Sequence, residues 1–231
     1  MLIDVITLFP AMFAGFAGES MMKRATDLGA VTFRMVDPRD FARDARRTVD
    51  DRPYGGGPGM LLKPEPLFEA IESVAGRDAH VVLMAPAGRK FTQRDARRLS
   101  KMGHLVIVCG HYEGIDERVA GALVDETLSI GDYVLTNGTL PAAVVADAVV
   151  RLLPGVLGGG AEATESESFS EGILENPQYT RPPSFRGMKV PEVLLEGNHA
   201  RVAEWKDATA LAVTRKMRPD LIGGDGARAK K

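Results

Sequence analysis

An α/β fold on a parallel sheet, followed by a smaller helical unit, is the architecture this sequence predicts, and three observations predict it. Short apolar runs of strand length alternate with helix-like stretches from the N-terminus onward, the pattern of βαβ units. Two of those runs, residues 80–85 and 105–109, are almost continuously apolar, as expected of parallel strands buried on both faces. The length of 231 residues, at roughly 150 per domain, suggests one domain with an appendage or two small ones, and 45% hydrophobic residues suffice to bury a core.

In chain order, residues 2–9 read as a strand closed by Pro10, residues 12–28 as a helix stopped at Gly29, and residues 31–36 as a second strand. The strand at 80–85 ends in the turn Pro86-Ala-Gly88. Thr92-x-x-Asp95 opens a helix with a capping-box-like start, ending at Gly103 before the strand at 105–109. Asp116 can cap a helix through Val124, and residues 127–136 are strand-like. Leu140-Pro141 opens a helix to Leu153 that is apolar almost all round, which places it in the core or in a subunit interface. Asn198 can cap a helix over residues 199–217 that includes Trp205 and Leu211. Two stretches break the alternation. Residues 37–59, rich in Arg, Asp, Gly and Pro, are too long for a connector, and residues 154–183, acidic with several glycines and prolines, read as an interdomain linker or a mobile lid.

Composition excludes several classes. The most apolar stretch, residues 140–153, is interrupted by Asp147 and Arg151 and falls short of the roughly 20 residues of a membrane span. The N-terminus lacks the basic region and cleavage site of a signal peptide. Cys109 is the single cysteine, which rules out an internal disulfide or a cysteine zinc cluster and fits a cytoplasmic setting. The net charge of −2 conceals segregation. Residues 154–183 carry one basic and five acidic side chains, whereas residues 184–231 carry ten and six. Residues 88–101 hold Arg89, Lys90, Arg94, Arg97, Arg98 and Lys101 against Asp95 alone, a footprint suited to phosphates or simply a solvated helix face.

The Gly55-Gly-Gly-Pro-Gly59 cluster satisfies neither glycine-rich nucleotide-binding pattern. It remains a loop whose backbone can approach something closely, flanked by Arg46, Arg47, Arg52 and Tyr54, or a tight structural turn. Gly110-His-Tyr-Glu-Gly114 follows a strand and precedes a helix, where ligands sit in open α/β sheets. With the turns at 86–88 and 130–138 it could form one pocket of backbone amides and carbonyls suited to a purine nucleoside. Arg151 follows Asp147 by four residues, a spacing that gives an ion pair or leaves a cation to stabilise developing charge. Glu162, Glu165, Glu167 and Glu171 are candidate bases, or solvated linker residues. The four histidines show no metal-ligand spacing.

The strings Pro38-Arg-Asp-Phe41, Arg46-Arg-Thr-Val-Asp-Asp-Arg-Pro-Tyr-Gly-Gly-Gly-Pro-Gly-Met60, Cys109-Gly-His-Tyr-Glu-Gly-Ile-Asp-Glu-Arg-Val119, Ser129-Ile-Gly-Asp-Tyr-Val-Leu135, Leu153-Pro-Gly-Val-Leu-Gly158, Tyr179-Thr-Arg-Pro182 and Leu195-x-Gly-Asn-His-Ala200 occur in this order. They resemble the bacterial tRNA (guanine-N1)-methyltransferases of the SPOUT class over residues 1–218. The resemblance implies a SPOUT-type parallel sheet with a deep trefoil knot near residues 80–140 in a domain 1–158, a flexible linker 159–175, and a helical tRNA-binding domain 176–231. It implies a cytoplasmic homodimer, with active sites at the subunit interface, that transfers a methyl group from S-adenosyl-L-methionine to N1 of guanosine 37 in tRNAs carrying G36-G37. The donor-binding pattern falls on Leu83, Met84, Ala85, Pro86, Gly110, Tyr112, Glu113, Ile130, Gly131, Asp132, Tyr133, Val134, Leu135, Gly138 and Pro141.

Methyl transfer from a sulfonium mainly needs alignment, but guanine N1 offers no lone pair until its proton leaves, so a carboxylate base is required. Charge then builds towards O6, where an arginine is suited to stabilise it. By resemblance Arg151 takes the second role and Glu167, just before Ser168-Phe169, the first. The family commonly has Asp at this point, and Glu165 is the alternative because the linker is one residue longer than usual. Asn137 replaces a usual glycine and His111 a usual arginine. No metal ligand set is present, so any Mg²⁺ would act through RNA or a transient carboxylate site. The rival expectations are an RNA-binding protein without the reaction and a SPOUT enzyme acting on a ribose 2′-hydroxyl.

Overall fold

Side chains alternate between the two faces of a strand, so a strand that is apolar at every position must be covered on both sides. The computed structural model, which describes residues 1–158 and 167–223, builds such a sheet. In the first of two compact units, Met1–Gly158, the strands are β1 (Leu2–Ile6), β2 (Thr32–Val36), the short pair β3 (Asp50–Asp51) and β4 (Leu61–Leu62), β5 (Ala79–Lys90), β6 (His104–Cys109) and β7 (Glu126–Ser129). Five of them form a parallel sheet in the order β2-β1-β6-β5-β7, while β3 and β4 pair antiparallel. The helices of this unit are α1 (Pro10–Ala17), α2 (Ser20–Asp27), α3 (Pro64–Glu72), α4 (Gln93–Leu99), α5 (Glu117–Leu123) and α6 (Thr139–Val150).

Strand alternation sorts the core. Val82, Met84, Leu105, Ile107 and Cys109 face one layer, where Phe13, Met22, Leu99 and Val145 cover them. Val81, Leu83, Val106 and Val108 face the other, under Leu67, Ile71 and Val119. Asp4 is the buried charge of β1. It accepts both Nε and Nη2 of Arg34, at 2.6 and 2.7 Å, and lies 2.6 Å from His104 Nε2, so its burial is compensated by two partners on neighbouring strands.

Four elements differ from the sequence reading. Pro10 starts a helix rather than closing a strand, since its fixed φ suits the first turn. The helix expected over 12–28 is two, separated at Gly18 and Glu19, and Glu19 is extended with φ −126° and ψ 161°. Pro86-Ala-Gly88 is no turn: β5 continues through it, shifting register against β7 between Met84 and Arg89. The strand expected over 127–136 stops at Ser129, after which Gly131 adopts φ 154°. Helix α6, expected in the core or in a subunit interface, has Val145, Ala146 and Val149 in the core and leaves Leu140 and Val144 exposed. Three of the six cations of residues 88–101 are paired with acids of the same unit. Arg89 donates to Asp95 and Glu126, Arg98 to Glu126, and Lys90 to Asp132.

The second unit, Gly159–Lys231, is described from residue 167 to 223. Its elements are a hairpin of β8 (Ser184–Phe185) and β9 (Met188–Lys189), the helix α7 (His199–Met217) and a last turn α8 (Asp220–Gly223). Asn198 caps α7, its Oδ1 accepting from the Arg201 N–H at 3.2 Å, as expected. Residues 167–175, placed in the linker by resemblance, are tied to this unit: the Leu174 N–H donates to Oγ1 of the buried Thr214 at 2.9 Å.

Two stability predictions follow from this packing. A Cβ at Gly88 would stand 2.6 Å from the backbone N and C of Leu128, atoms that cannot give way, whereas one at Gly103 meets nothing within 4 Å. Gly88→Ala should therefore lower unfolding stability by about 1–3 kcal/mol, and Gly103→Ala should be neutral or stabilising by up to about 1 kcal/mol, both read from denaturant titrations. Burial pushes the Asp95 carboxyl up, but hydrogen bonds from Thr92 and Arg89 outweigh it and hold the group below its ordinary value. Its stabilisation is present above the unfolded-state value near pH 4 and is lost as pH falls through the lower native value. Asp95→Asn should cost about 1.5–3 kcal/mol at pH 7, and its stability curve should converge on that of the wild type in acid.

Candidate functional site

The middle of β5, at residues 83–87, and the loops that leave the carboxyl ends of β6 and β7 meet at one edge of the parallel sheet, where ligands bind. They enclose a cavity of about 380 Å³, within the range of about 300–1,000 Å³ typical of small-molecule sites. Fourteen of the fifteen residues predicted to bind the donor line it: Leu83, Met84, Ala85, Pro86, Gly110, Tyr112, Glu113, Ile130, Gly131, Tyr133, Val134, Leu135, Gly138 and Pro141. Asp132 does not, because its carboxylate is turned outward to Lys90. Seven further lining residues stand outside the donor-binding pattern, and of these Ile115, Leu128 and Ser129 lie outside all three turns read from the sequence. Leu128 and Ser129 are the buried end of β7, which reaches the cavity only through its pairing with β5.

Backbone geometry shapes the walls. The Gly138 N–H donates to the Gly110 carbonyl at 2.7 Å, and a Cβ on Gly138 would come 2.9 Å from the Cys109 Cα. Asn137 bridges to His111, and its Oδ1 accepts from the Thr139 N–H at 2.9 Å, which caps the start of α6. Ser129 Oγ donates to the Gly131 carbonyl at 2.9 Å and fixes the turn after β7. The half-exposed rings of Tyr112 and Tyr133 stand on the rim, Tyr112 in the left-handed region at φ 58°.

The glycine cluster also finds its neighbour here. At Gly59 the place of a Cβ is taken by the side chain of Glu113, whose Oε1 lies 2.3 Å from that point. Backbone hydrogen bonds from Glu113 to Met60, from Leu62 to Gly114 and from Asp116 to Leu62 fasten the two segments together. The loop is thus a close approach of backbone to a cavity-lining carboxylate, while Tyr54 at its tip is fully exposed.

Two titratable groups behind the wall are held neutral. Burial pushes the Cys109 thiol up to about 12. His111 is lowered chiefly by burial, and its Nδ1–H donates to the Cys109 carbonyl at 2.9 Å, which leaves Nε2 without a hydrogen-bond partner among the described residues. Arg151 immediately follows α6, with its N–H on the Asp147 carbonyl. Glu167 opens the described part of the second unit and accepts, at its carbonyl, from the Ser170 N–H and Oγ. Glu162 and Glu165 lie outside the described residues. Among the described residues no group of three or more His, Cys, Asp or Glu side chains is placed to hold a metal ion, and no helix is long and apolar enough to cross a membrane.

Residues 1–224 match the family model described as tRNA (Guanine-1)-methyltransferase TrmD. The chain belongs to this family. Proteins named tRNA (guanine-N(1)-)-methyltransferase from Geobacillus kaustophilus, Dehalococcoides mccartyi (strain CBDB1) and Bacillus subtilis are similar to it at 53%, 55% and 50% identity. Each similarity covers 96% of this chain and 90–92% of the relative. The glycine cluster and the cavity-lining segments of this TrmD-family chain therefore lie wholly within the matched region.

The neutrality of His111 has a measurable consequence. Its native pKa lies below the unfolded value near 6.5, so the unfolded chain binds the proton first as pH falls. Stability tied to His111 is complete above about pH 6.5 and drains as pH drops toward the native value. In unfolding titrations between pH 7.5 and 5, on the order of five pH points, His111→Gln should show a shallower loss of stability than the wild type.

Proposed function

We propose that this protein transfers a methyl group from S-adenosyl-L-methionine to N1 of guanosine 37 in tRNAs carrying G36-G37. The observation that carries this reading is the cavity between the middle of β5 and the loops after β6 and β7, lined by fourteen of the residues that the resemblance assigns to the donor. The fit is chemical as well as spatial. Gly110 and Gly138 offer bare backbone for a flat nucleoside, the tyrosines offer ring faces, and Glu113 offers a carboxylate to a cationic amine. When bound, the donor supplies an electrophilic methyl on a sulfonium.

The chain's own groups must then deprotonate the acceptor and stabilise its charge. We assign proton removal from N1 to the Glu167 carboxylate and stabilisation of O6 to the Arg151 guanidinium. Helix α6 begins at Thr139, directly after the cavity-lining Gly138, contributes Pro141 to the cavity and carries Arg151 at its far end; twelve residues at 1.5 Å each span about 18 Å. A separation of that size supports a homodimer whose active sites combine one copy's cavity with the other's Arg151. The exposed Leu140 and Val144 on α6 support the same arrangement, as apolar surface awaiting cover.

The reading extends to a deep trefoil knot near residues 80–140, supported by the glycine-dependent backbone crossings at Gly88 and Gly138. It takes residues 1–158 as the donor domain, 159–175 as a linker and 176–231 as a tRNA-binding domain in a cytoplasmic enzyme. The charge of residues 184–231, ten basic against six acidic, supports the last of these roles. Any Mg²⁺ acts through the RNA or a transient carboxylate site.

Labelled donor incubated with G36-G37, A36-G37 and G36-A37 transcripts tests target base and neighbour together, and only the first should be labelled well. Arg151→Ala and Glu167→Ala should each lower the rate by about 100-fold or more. Mixing Arg151→Ala with a Gly138→Val cavity variant should restore activity through mixed dimers. Unchanged turnover in both single variants would overturn the assignment.

A further inference from the structure

We infer that the β8–β9 hairpin is a nucleobase-stacking contact for the tRNA, separate from the donor cavity, with the Phe185 ring as its platform. The inference rests on the tRNA substrate proposed above and names a surface that reading does not require.

Phe185 and Met188 are directly paired across the hairpin, so both side chains share one face, and they are 56% and 66% exposed. Every residue from 178 to 189 is exposed. The two turn residues, Arg186 and Gly187, have φ 51° and 79°. This is the geometry that hairpins of this length favour, but Gly, Asn or Asp normally holds the first position. Arginine there is strained, and its guanidinium carbon lies 5.2 Å from the centre of the Phe185 ring. An exposed ring is thus covered on one side by a cation and open beside it.

The surrounding charge selects the occupant. From Asn176 to Pro191 the chain carries Arg181, Arg186 and Lys189 and no acidic side chain. A ring, a thioether and three cations without a carboxylate suit a base flanked by phosphates, because stacking needs only a π face and the cations meet the backbone. The hairpin is also two residues per strand, too small an apolar area for the core of a standard protein interface.

The test uses the full-length protein and a G36-G37 tRNA transcript. Phe185→Ala should weaken tRNA binding by about tenfold. Phe185→Tyr should bind within about twofold of the wild type, and Phe185→Leu should resemble Phe185→Ala because it lacks a π face. The unfolding midpoint and donor binding should be unchanged in all three. An unaltered tRNA affinity in Phe185→Ala, or full affinity in Phe185→Leu, overturns the inference. So does a Phe185→Ala change confined to the self-association of the RNA-free protein, which would make the hairpin a contact between copies. Methyl transfer by the wild type, measured in parallel, separates the two readings: its absence counts against the proposed reaction, while the affinity ratio still decides the hairpin.

Discussion

At Gly138 the segment leaving β7 is laid against the segment leaving β6 so closely that a Cβ would come 2.9 Å from the Cys109 Cα and the Gly110 N. At Gly88 the far half of β5 is laid as closely on the backbone of Leu128 in β7. Both contacts are backbone to backbone, and relaxation of a flexible side chain cannot relieve them. The cavity depends on them, because its walls are the middle of β5 and the two loops after β6 and β7 that these crossings hold together. Leu135 and Pro141, far apart from Leu83 in sequence, line one space with it for this reason. An opening formed by main-chain contacts is also rigid before any ligand arrives, which limits the ordering entropy that binding must overcome.

The same frame disposes of most of the charge near it. Asp95 and Glu126 take up Arg89 and Arg98 beside β5 and β7, and Asp132 takes up Lys90. These pairs hold the ends of the strands that bear the cavity loops, so a cluster that reads as a phosphate footprint in the sequence is substantially structural. Basic surface that faces solvent and is not named in these pairs is found at Arg94 and Lys101, along the 46–52 arginines, and on the hairpin of the second unit. Exposed pairs in this network contribute little individually, whereas the buried Asp95 also caps α4 and so couples helix, strand and charge at one carboxylate.

How much could be read in the sequence follows from the range of each interaction. Uninterrupted apolar runs made β6 and the first half of β5 legible, and local hydrogen-bonding residues made the caps at Asp116, Thr92 and Asn198 legible. The break at Gly18 was missed because residues 12–28 keep enough helix formers to conceal a two-residue interruption. The continuation of β5 through Pro86 was missed because it is stabilised by pairing with β7, some 40 residues away, and no local signal reports that partner. The cavity residues were legible through motif resemblance. Leu128 and Ser129 were not, since they enter by strand register, while Asp132, inside a motif whose neighbours line the cavity, is turned to Lys90.

The ionisable groups around the cavity divide the chemistry in a definite way. Cys109 is held protonated by burial and His111 neutral, so neither offers a charged nucleophile or a ready acid at the wall. Among the described residues that line the cavity, Glu113 carries the only carboxylate, and its side chain is seated against the backbone of Gly59. A carboxylate fixed in that way is suited to holding a cation and poorly placed to follow a proton on an incoming base. A reaction that must first remove a proton from its acceptor then needs a second carboxylate brought from outside the cavity. On the proposed reading the cavity supplies alignment and a fixed counter-charge, while the proton acceptor is Glu167 of the linker and the cation that stabilises charge building on O6 is Arg151 of the other copy.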